Sequence, residues 1–201
     1  MQNFVYEYGS GLYFNLTNKC PCECTFCVRA GAQGLGSASS LWLEADPTAA
    51  QVIAQLEGKN LANYTEVVIC GFGEPFCALD TMLEVCAYLK SQSGCPTVRV
   101  NTNGLGDLIN GRSTPPLLKG LVDMISISLN ASSKEQYVEL CRPVFGEPAF
   151  DAMLKFAREC KEYVPQVALS VVNVISPQEI AACQKIADDL GIPLRVRGFA
   201  G

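Results

Sequence analysis

Cys20-Pro21-Cys22-Glu23-Cys24-Thr25-Phe26-Cys27 lies just beyond the apolar run Leu12-Tyr13-Phe14-Asn15-Leu16 and decides how the rest of the chain is read. Cys20, Cys24 and Cys27 stand at C-x3-C-x2-C spacing, with Cys22 as an extra thiol between the first two. Three thiolates on one short loop can hold three corners of a cubane iron–sulfur cluster and leave the fourth iron without a protein ligand. An open iron is a place for chemistry as well as an electron store. The competing reading is a structural zinc knuckle. Such sites draw a second ligand pair from farther along, often histidine. This chain has no histidine, and no later cysteine pair stands at C-x2-C spacing. The cluster is the better fit.

Outward from that loop, short apolar, β-branched segments alternate with helix-like ones about six times. The strands are expected at residues 12–16, 66–70, 97–101, 123–129, 167–172 and 194–197. Asp46-Pro47 reads as an N-cap and first helical residue of a helix running toward Gly58. Further helices are expected near residues 79–90 and 148–163. Ser132 with Glu135 and Ser176 with Glu179 read as capping boxes, and Gly191 with Pro193 as a helix stop. Residues 31–40, rich in Gly, Ala and Ser, read as a mobile loop.

Alternating β and α segments imply a parallel sheet. Six units are two short of a closed eight-fold barrel. Side-chain alternation chooses between an open doubly wound sheet and a partial barrel. Ile125, Ile127 and Leu129 share one face while Ser126, Ser128 and Asn130 share the other. Val98, Val100 and Thr102 oppose Arg99, Asn101 and Asn103; Leu194 and Val196 oppose Arg195 and Arg197. A sheet covered by helices on both faces should be apolar on both. One polar face suits a wet lumen, so the expected fold is α/β, a partial (βα)6 TIM-like barrel forming one domain over residues 1–201.

Composition sets the outer bounds. The 201 residues are 49% hydrophobic and 17% charged, ordinary for a globular protein. No run approaches a membrane span, and the N-terminus lacks the marks of a signal peptide, so the expected place is cytoplasmic. A net charge of −5 gives no surface for tracking phosphates. Eleven cysteines, an odd number in a chain without an export signal, argue for free thiols, a reducing compartment and an oxygen-sensitive protein. Cys70, Cys86, Cys160 and Cys183 read as small buried hydrophobes, while Cys77, Cys95 and Cys141 carry no assignment.

Barrels of this kind carry their functional groups at the strands' C-terminal ends. Those ends hold the cysteine loop, Gly71-Phe72-Gly73-Glu74-Pro75, Asn101-Thr102-Asn103-Gly104, Ser128 with Asn130, Asn173, and Arg197-Gly198-Phe199. The spaced cysteines with Phe26 before the third, followed by Gly-Phe-Gly-Glu-Pro, resemble the two signatures of the radical S-adenosylmethionine (SAM) superfamily, and the resemblance covers essentially the whole chain. Phe72 departs from the all-glycine form of the second signature. The resemblance implies a 4Fe–4S cluster on Cys20, Cys24 and Cys27 and a radical SAM core. It implies SAM held by Phe26, Gly71, Gly73, Glu74, Asn103, Ser128, Asn130, Arg142, Asn173 and Arg197. The implied reaction is reductive cleavage of SAM to a 5′-deoxyadenosyl radical that abstracts hydrogen from a substrate, with electrons from an external flavodoxin- or ferredoxin-like donor.

Four stretches are similar to the radical SAM proteins associated with TatD-family nucleases: residues 39–44, 98–104, 125–131 and 140–143. That similarity implies a functional link to a TatD-type hydrolase and names no substrate. A glycyl-radical-type activase acting on a protein partner, or a non-catalytic zinc-binding scaffold, are the other readings. Arg99, Arg195 and Arg197 on polar strand faces lean toward an anionic small substrate.

Overall fold

The computed structural model describes residues 2–198. A hairpin opens the chain: β1 (Val5–Tyr8) pairs antiparallel with β2 (Gly11–Asn15), turning at Gly9, whose φ of +58° suits glycine. Five strands follow β2, each parallel to the one before, namely β3 (Glu66–Cys70), β4 (Thr97–Thr102), β5 (Met124–Ser128), β6 (Gln166–Val172) and β7 (Leu194–Arg197). The sheet has seven strands in the linear order β1 to β7. The six-unit partial barrel therefore stands, with one antiparallel strand added that the alternation argument does not supply.

The outward faces of the strands build the core. Leu12, Phe14, Val67, Ile69, Val98, Val100, Ile125, Ile127, Leu169 and Val171 are all buried in one hydrophobic cluster. Helices α2 (Leu79–Ser91), α5 (Pro148–Tyr163) and α6 (Pro177–Leu190) contribute Met82, Leu89, Met153, Phe156 and Cys183 to that cluster. The Phe76 ring meets Phe156 edge-on at 5.3 Å. Burial of this kind stabilises by roughly 25 cal/mol per Å² of apolar surface. The inward faces are mixed rather than uniformly polar. Val68, Ala168 and Ser170 are buried there, and Ser170 Oγ donates to the Ile127 carbonyl at 3.5 Å. On β7 the outer face is only partly covered: Leu194 packs against the core cluster while Val196 is 52% exposed.

Local signals were read well in type and less well in register. α1 (Ala49–Ala54) is capped by Thr48, not Asp46, through a reciprocal box with Gln51, and it ends well before Gly58. Asp46 instead pairs with Lys19 at 2.7 Å. α4 (Lys134–Cys141) is capped by Ser133, one residue beyond Ser132. Ser176 does cap α6, yet the Glu179 carboxylate accepts from the Ser132 amide at 2.6 Å and so ties two loops together. Gly191 ends α6 in the left-handed conformation, as expected. A short helix, α3 (Gly106–Asn110), has no counterpart in the sequence reading. Residues 31–40 are anchored by backbone bonds from Ser37 to Glu7 and from Leu41 to Gln33, both 2.8 Å.

Two asparagines fasten the chain beyond that loop to the end of β2. Asn15, fully buried, donates to the Leu41 carbonyl at 2.6 Å and accepts from the Phe72 amide at 3.2 Å. Asn18 donates to the Leu43 carbonyl at 2.7 Å and accepts from its amide at 3.1 Å. Asn15→Ala should cost about 2–4 kcal/mol in urea unfolding, because it leaves a buried carbonyl and a buried amide unpaired. Asn18→Ala should cost less, since Asn18 is only part-buried where Asn15 is fully buried; equal costs would show that burial is not what sets the penalty.

Candidate active site

The cysteine loop borrows its shape from its neighbours. The Glu23 and Thr25 amides donate to the carbonyls of Cys141 (3.1 Å) and Leu140 (2.9 Å) at the end of α4, and Val144 N–H donates to the Pro21 carbonyl at 2.8 Å. These are carbonyls that a helix end leaves without intrahelical partners. Arg29 ties the loop from the other side, donating to the carbonyls of Asn18 (3.2 Å) and Cys22 (3.3 Å).

The loop's sulfurs are brought together with a fifth that sequence reasoning left unassigned. Cys22, buried, lies within side-chain hydrogen-bonding reach of both Cys20 and Cys24, and Cys141 within reach of Cys24. Hydrogen bonds from Cys141 and then Cys22 hold the Cys24 thiol well below the usual range; the bond from Cys22 lowers Cys20. Burial raises the Cys27 thiol. All eleven cysteines are free thiols. Among the described residues, no three His, Cys, Asp or Glu side chains converge at the spacing of a single metal ion.

The loop after β3 locks onto this one. A Cβ on Gly73 would stand 2.2 Å from the Thr17 carbonyl oxygen and 2.8 Å from that of Lys19; one on Gly71, at φ +111°, would stand 2.1 Å from Asn15 Oδ1. Gly73 is thus needed for close approach to the chain's own backbone, and Gly71 for contact with the Asn15 side chain. The Glu74 amide donates to the Lys19 carbonyl at 2.8 Å. Its carboxylate, 4% exposed, accepts from Thr102 Oγ1 (2.6 Å), Asn103 N–H (2.7 Å) and Phe76 N–H (3.3 Å). Burial outweighs those donors and pushes the Glu74 carboxyl up to about 7.

All of this surrounds a cavity of about 500 Å³, within the range of small-molecule sites. Cys20, Cys24, Cys27, Phe26, Gly71, Gly73, Glu74, Asn103, Ser128, Asn130 and Arg197 line it, as the strand-end argument expects. Asn103 Nδ2 stands 3.9 Å from Cys20 Sγ and 3.7 Å from Cys22 Sγ. Asn130, at φ 59°, donates to Cys141 Sγ at 3.6 Å, while its Oδ1 is buried with no donor among the described residues.

Two expected contacts are not brought in. Arg142 is exposed and lies outside the lining, because its backbone takes the left-handed C-cap position of α4. Asn173 is also exposed and outside the lining, with its amide donating to the Arg197 carbonyl at 2.9 Å. Phe199 lies outside the described residues. Cys70, expected in the core, faces the cavity with its sulfur 3.7 Å from the Tyr6 hydroxyl. Asn101 and Thr102, from the expected strand-end stretch, and Tyr6, Tyr13 and Tyr137, which the motifs do not name, complete the wall. The Tyr8-Gly9-Ser10-Gly11 turn signal could have found the hairpin, and with it Tyr6 and Tyr13.

The sequence profile of the Radical SAM superfamily matches residues 14–189. The chain belongs to that superfamily. It is an enzyme whose family works with a 4Fe–4S cluster and SAM. The donor set fits those groups: clustered thiols, Cys20 and Cys24 among them with lowered proton affinity, a glycine-lined loop, and an orphaned buried acceptor at Asn130. Solved structures share the fold at low identity. Streptococcus suis SuiB, crystallised with S-adenosylmethionine, gives a TM-score of 0.63 at 17% identity over 96% of this chain and 41% of that one. HydG, a maturase of the FeFe-hydrogenase, gives 0.66 at 17% over 95% and 42%. A radical SAM methyltransferase from Sphaerobacter thermophilus gives 0.51 at 19% over 98% and 69%. The chain thus spans about two fifths of SuiB's length. Comparison with curated proteins gives no match.

Glu74 supplies a pH test. Its carboxyl rises from 4.5 to about 7 on folding, so below pH 4.5 both states hold the proton. As pH climbs to about 7, the unfolded chain releases it first and the stabilising contribution of the neutral acid is lost. The size is about 3 kcal/mol from ~1.4 kcal/mol per unit. Unfolding free energies of wild type and Glu74→Gln, followed from pH 4.5 to 8, should diverge by that order. Parallel curves would show the carboxyl is not raised.

Proposed function

We propose that this chain cleaves SAM reductively at the cysteine loop and directs the resulting radical at a substrate held in the same cavity. The observation that carries the reading is convergence: the three spaced cysteines, the Gly71–Glu74 loop, Asn103, Ser128 and Asn130 line one cavity. When bound, the cluster and SAM supply one-electron cleavage to a 5′-deoxyadenosyl radical. The chain's own residues orient and exclude. Cys20, Cys24 and Cys27 hold the cluster, and Cys22 and Cys141 donate to ligand sulfurs rather than replacing them. Glu74 is poised to receive a cationic ammonium group while its backbone fixes the cysteine loop. Asn130 Oδ1 waits for a donor, which a ribose hydroxyl or an amine satisfies.

Four sequence stretches support placing the chain beside the TatD-associated group, with a TatD-type hydrolase as its functional partner and an external flavodoxin- or ferredoxin-like protein as electron donor. Among the described residues no helix is long and apolar enough to cross a membrane; the eleven free thiols suit a reducing compartment and support the cytoplasm as the proposed place of action.

Anaerobic reconstitution tests this reading. Wild type should turn brown, bind about four irons per chain and release 5′-deoxyadenosine from SAM on reduction. Cys24→Ala should lose both iron and product to background, whereas Cys22→Ala should keep iron. A colourless protein holding one zinc would end the proposal, and loss of iron in Cys22→Ala would show that the ligand register is shifted.

A further inference from the structure

The cavity has a floor that the cofactor signatures leave unused. Tyr13, Val68 and Arg99 occupy one register row across β2, β3 and β4, deeper in the lumen than the strand ends that carry the cysteine loop, Glu74 and Asn103. Arg197 faces the same space from β7, within electrostatic reach of Arg99 and Cys70. Tyr6 and Tyr13, with ring centroids 5.5 Å apart, and Tyr8 edge-on to Tyr13 at 5.6 Å, form the wall above it.

The two arginines are not in the same state. Arg99 is spent: Nε and Nη2 grip the Glu66 carboxylate at 2.9 and 2.6 Å, and Nη1 donates to Asn101 Oδ1 at 3.2 Å. Arg197, the last residue of β7, is exposed yet lines the cavity; it has no ion pair or side-chain hydrogen bond among the described residues, and Arg99 lies within electrostatic reach of it. Glu74 is not its counter-ion, since its oxygens are taken by Thr102, Asn103 and Phe76. The cavity is therefore left with one arginine that has no counter-ion among the described residues, a planar fork in a cavity with an aromatic wall.

We propose that Arg197 is the carboxylate-binding residue of the substrate site, taking a small organic monoanion with a flat apolar body that lies along Tyr6 and Tyr13. A guanidinium fork matches a carboxylate bidentately. One uncompensated charge matches a carboxylate, whereas a phosphate monoester brings a charge nearer −2. Such a ligand supplies the counter-ion that the arginine pair lacks. This assignment moves Arg197 from the cofactor to the substrate, and it rests on the reading that the lumen is a substrate site.

Benzoate is the probe, titrated calorimetrically into the anaerobically reconstituted, SAM-saturated chain and, in parallel, into the cluster-free chain. Benzoate should bind, with benzamide and phenyl phosphate each at least about ten-fold weaker. Arg197→Gln should weaken benzoate at least about ten-fold, with Arg195→Gln, exposed and outside this lining, as the matched control that leaves it unchanged. Benzamide or phenyl phosphate binding as well as benzoate, no loss in Arg197→Gln, or displacement of benzoate by SAM would each overturn the assignment. The wild-type ligand comparison judges it even if a variant fails to fold. A failed reconstitution strikes at the enzyme reading instead, and the cluster-free titration then judges the carboxylate site alone.

Discussion

The site depends on a loop that cannot hold its own shape. The loop's Glu23 and Thr25 amides go to carbonyls at the end of α4, its Pro21 carbonyl receives the Val144 amide, and its Lys19 carbonyl receives the Glu74 amide. A helix end has carbonyls to spare and an irregular loop has amides to spare, so each satisfies the other. The consequence is coupling. The cysteines take their places only when α4 has formed, and α4 brings Cys141 to the sulfurs as it does so. The chain from Lys19 to Cys27 and the chain from Leu140 to Val144 are best regarded as one unit.

Charge is distributed across the cavity in a way that sorts ligands. Near the strand ends stand thiols held toward their ionised forms and a buried carboxyl poised close to neutrality. Lower in the cavity Arg99 is paired with Glu66, and Arg197, reaching in from the end of β7, has no ion pair among the described residues. A cation is favoured at the first and an anion at the second, and interactions across such a partly dry space are stronger than in water. One cavity of about 500 Å³ can thus orient two ligands by charge before any shape selection acts.

Much of this was legible in the sequence, for reasons that differ by residue. β3 and α5 were read with their observed ends because an apolar β-branched run and a proline at the helix start are local signals. The register errors at Thr48 and Ser133 arose where neighbouring residues offered competing caps; Asp46 was claimed by Lys19 and the Ser132 amide by Glu179, both distant in sequence. Arg142 and Asn173 fall outside the lining because position near a helix end or a strand end says where a backbone goes, not where a side chain points. Cys70 and Cys141 illustrate the converse. An apolar-looking cysteine in a strand or helix reads as core, and only the facing of that strand, or the packing of that helix against the loop, shows that it belongs to the site.

Fold neighbours at 17% identity share the fold with this chain, and the physical division of labour explains how. Period-two alternation, helix caps and glycine stops can be met by many residues, so the scaffold leaves sequence free to drift. The chemistry cannot drift in the same way. A thiolate is needed at each of three corners, and at Gly73 any side chain meets the Thr17 carbonyl at 2.2 Å. Between these extremes lies the floor. Tyr13 and Arg99 sit on strands whose backbone pairing is indifferent to their side chains, so these are the positions where members of one superfamily are free to differ. The residues that neither the fold nor the cofactor fixes are the ones left free to shape the rest of the cavity.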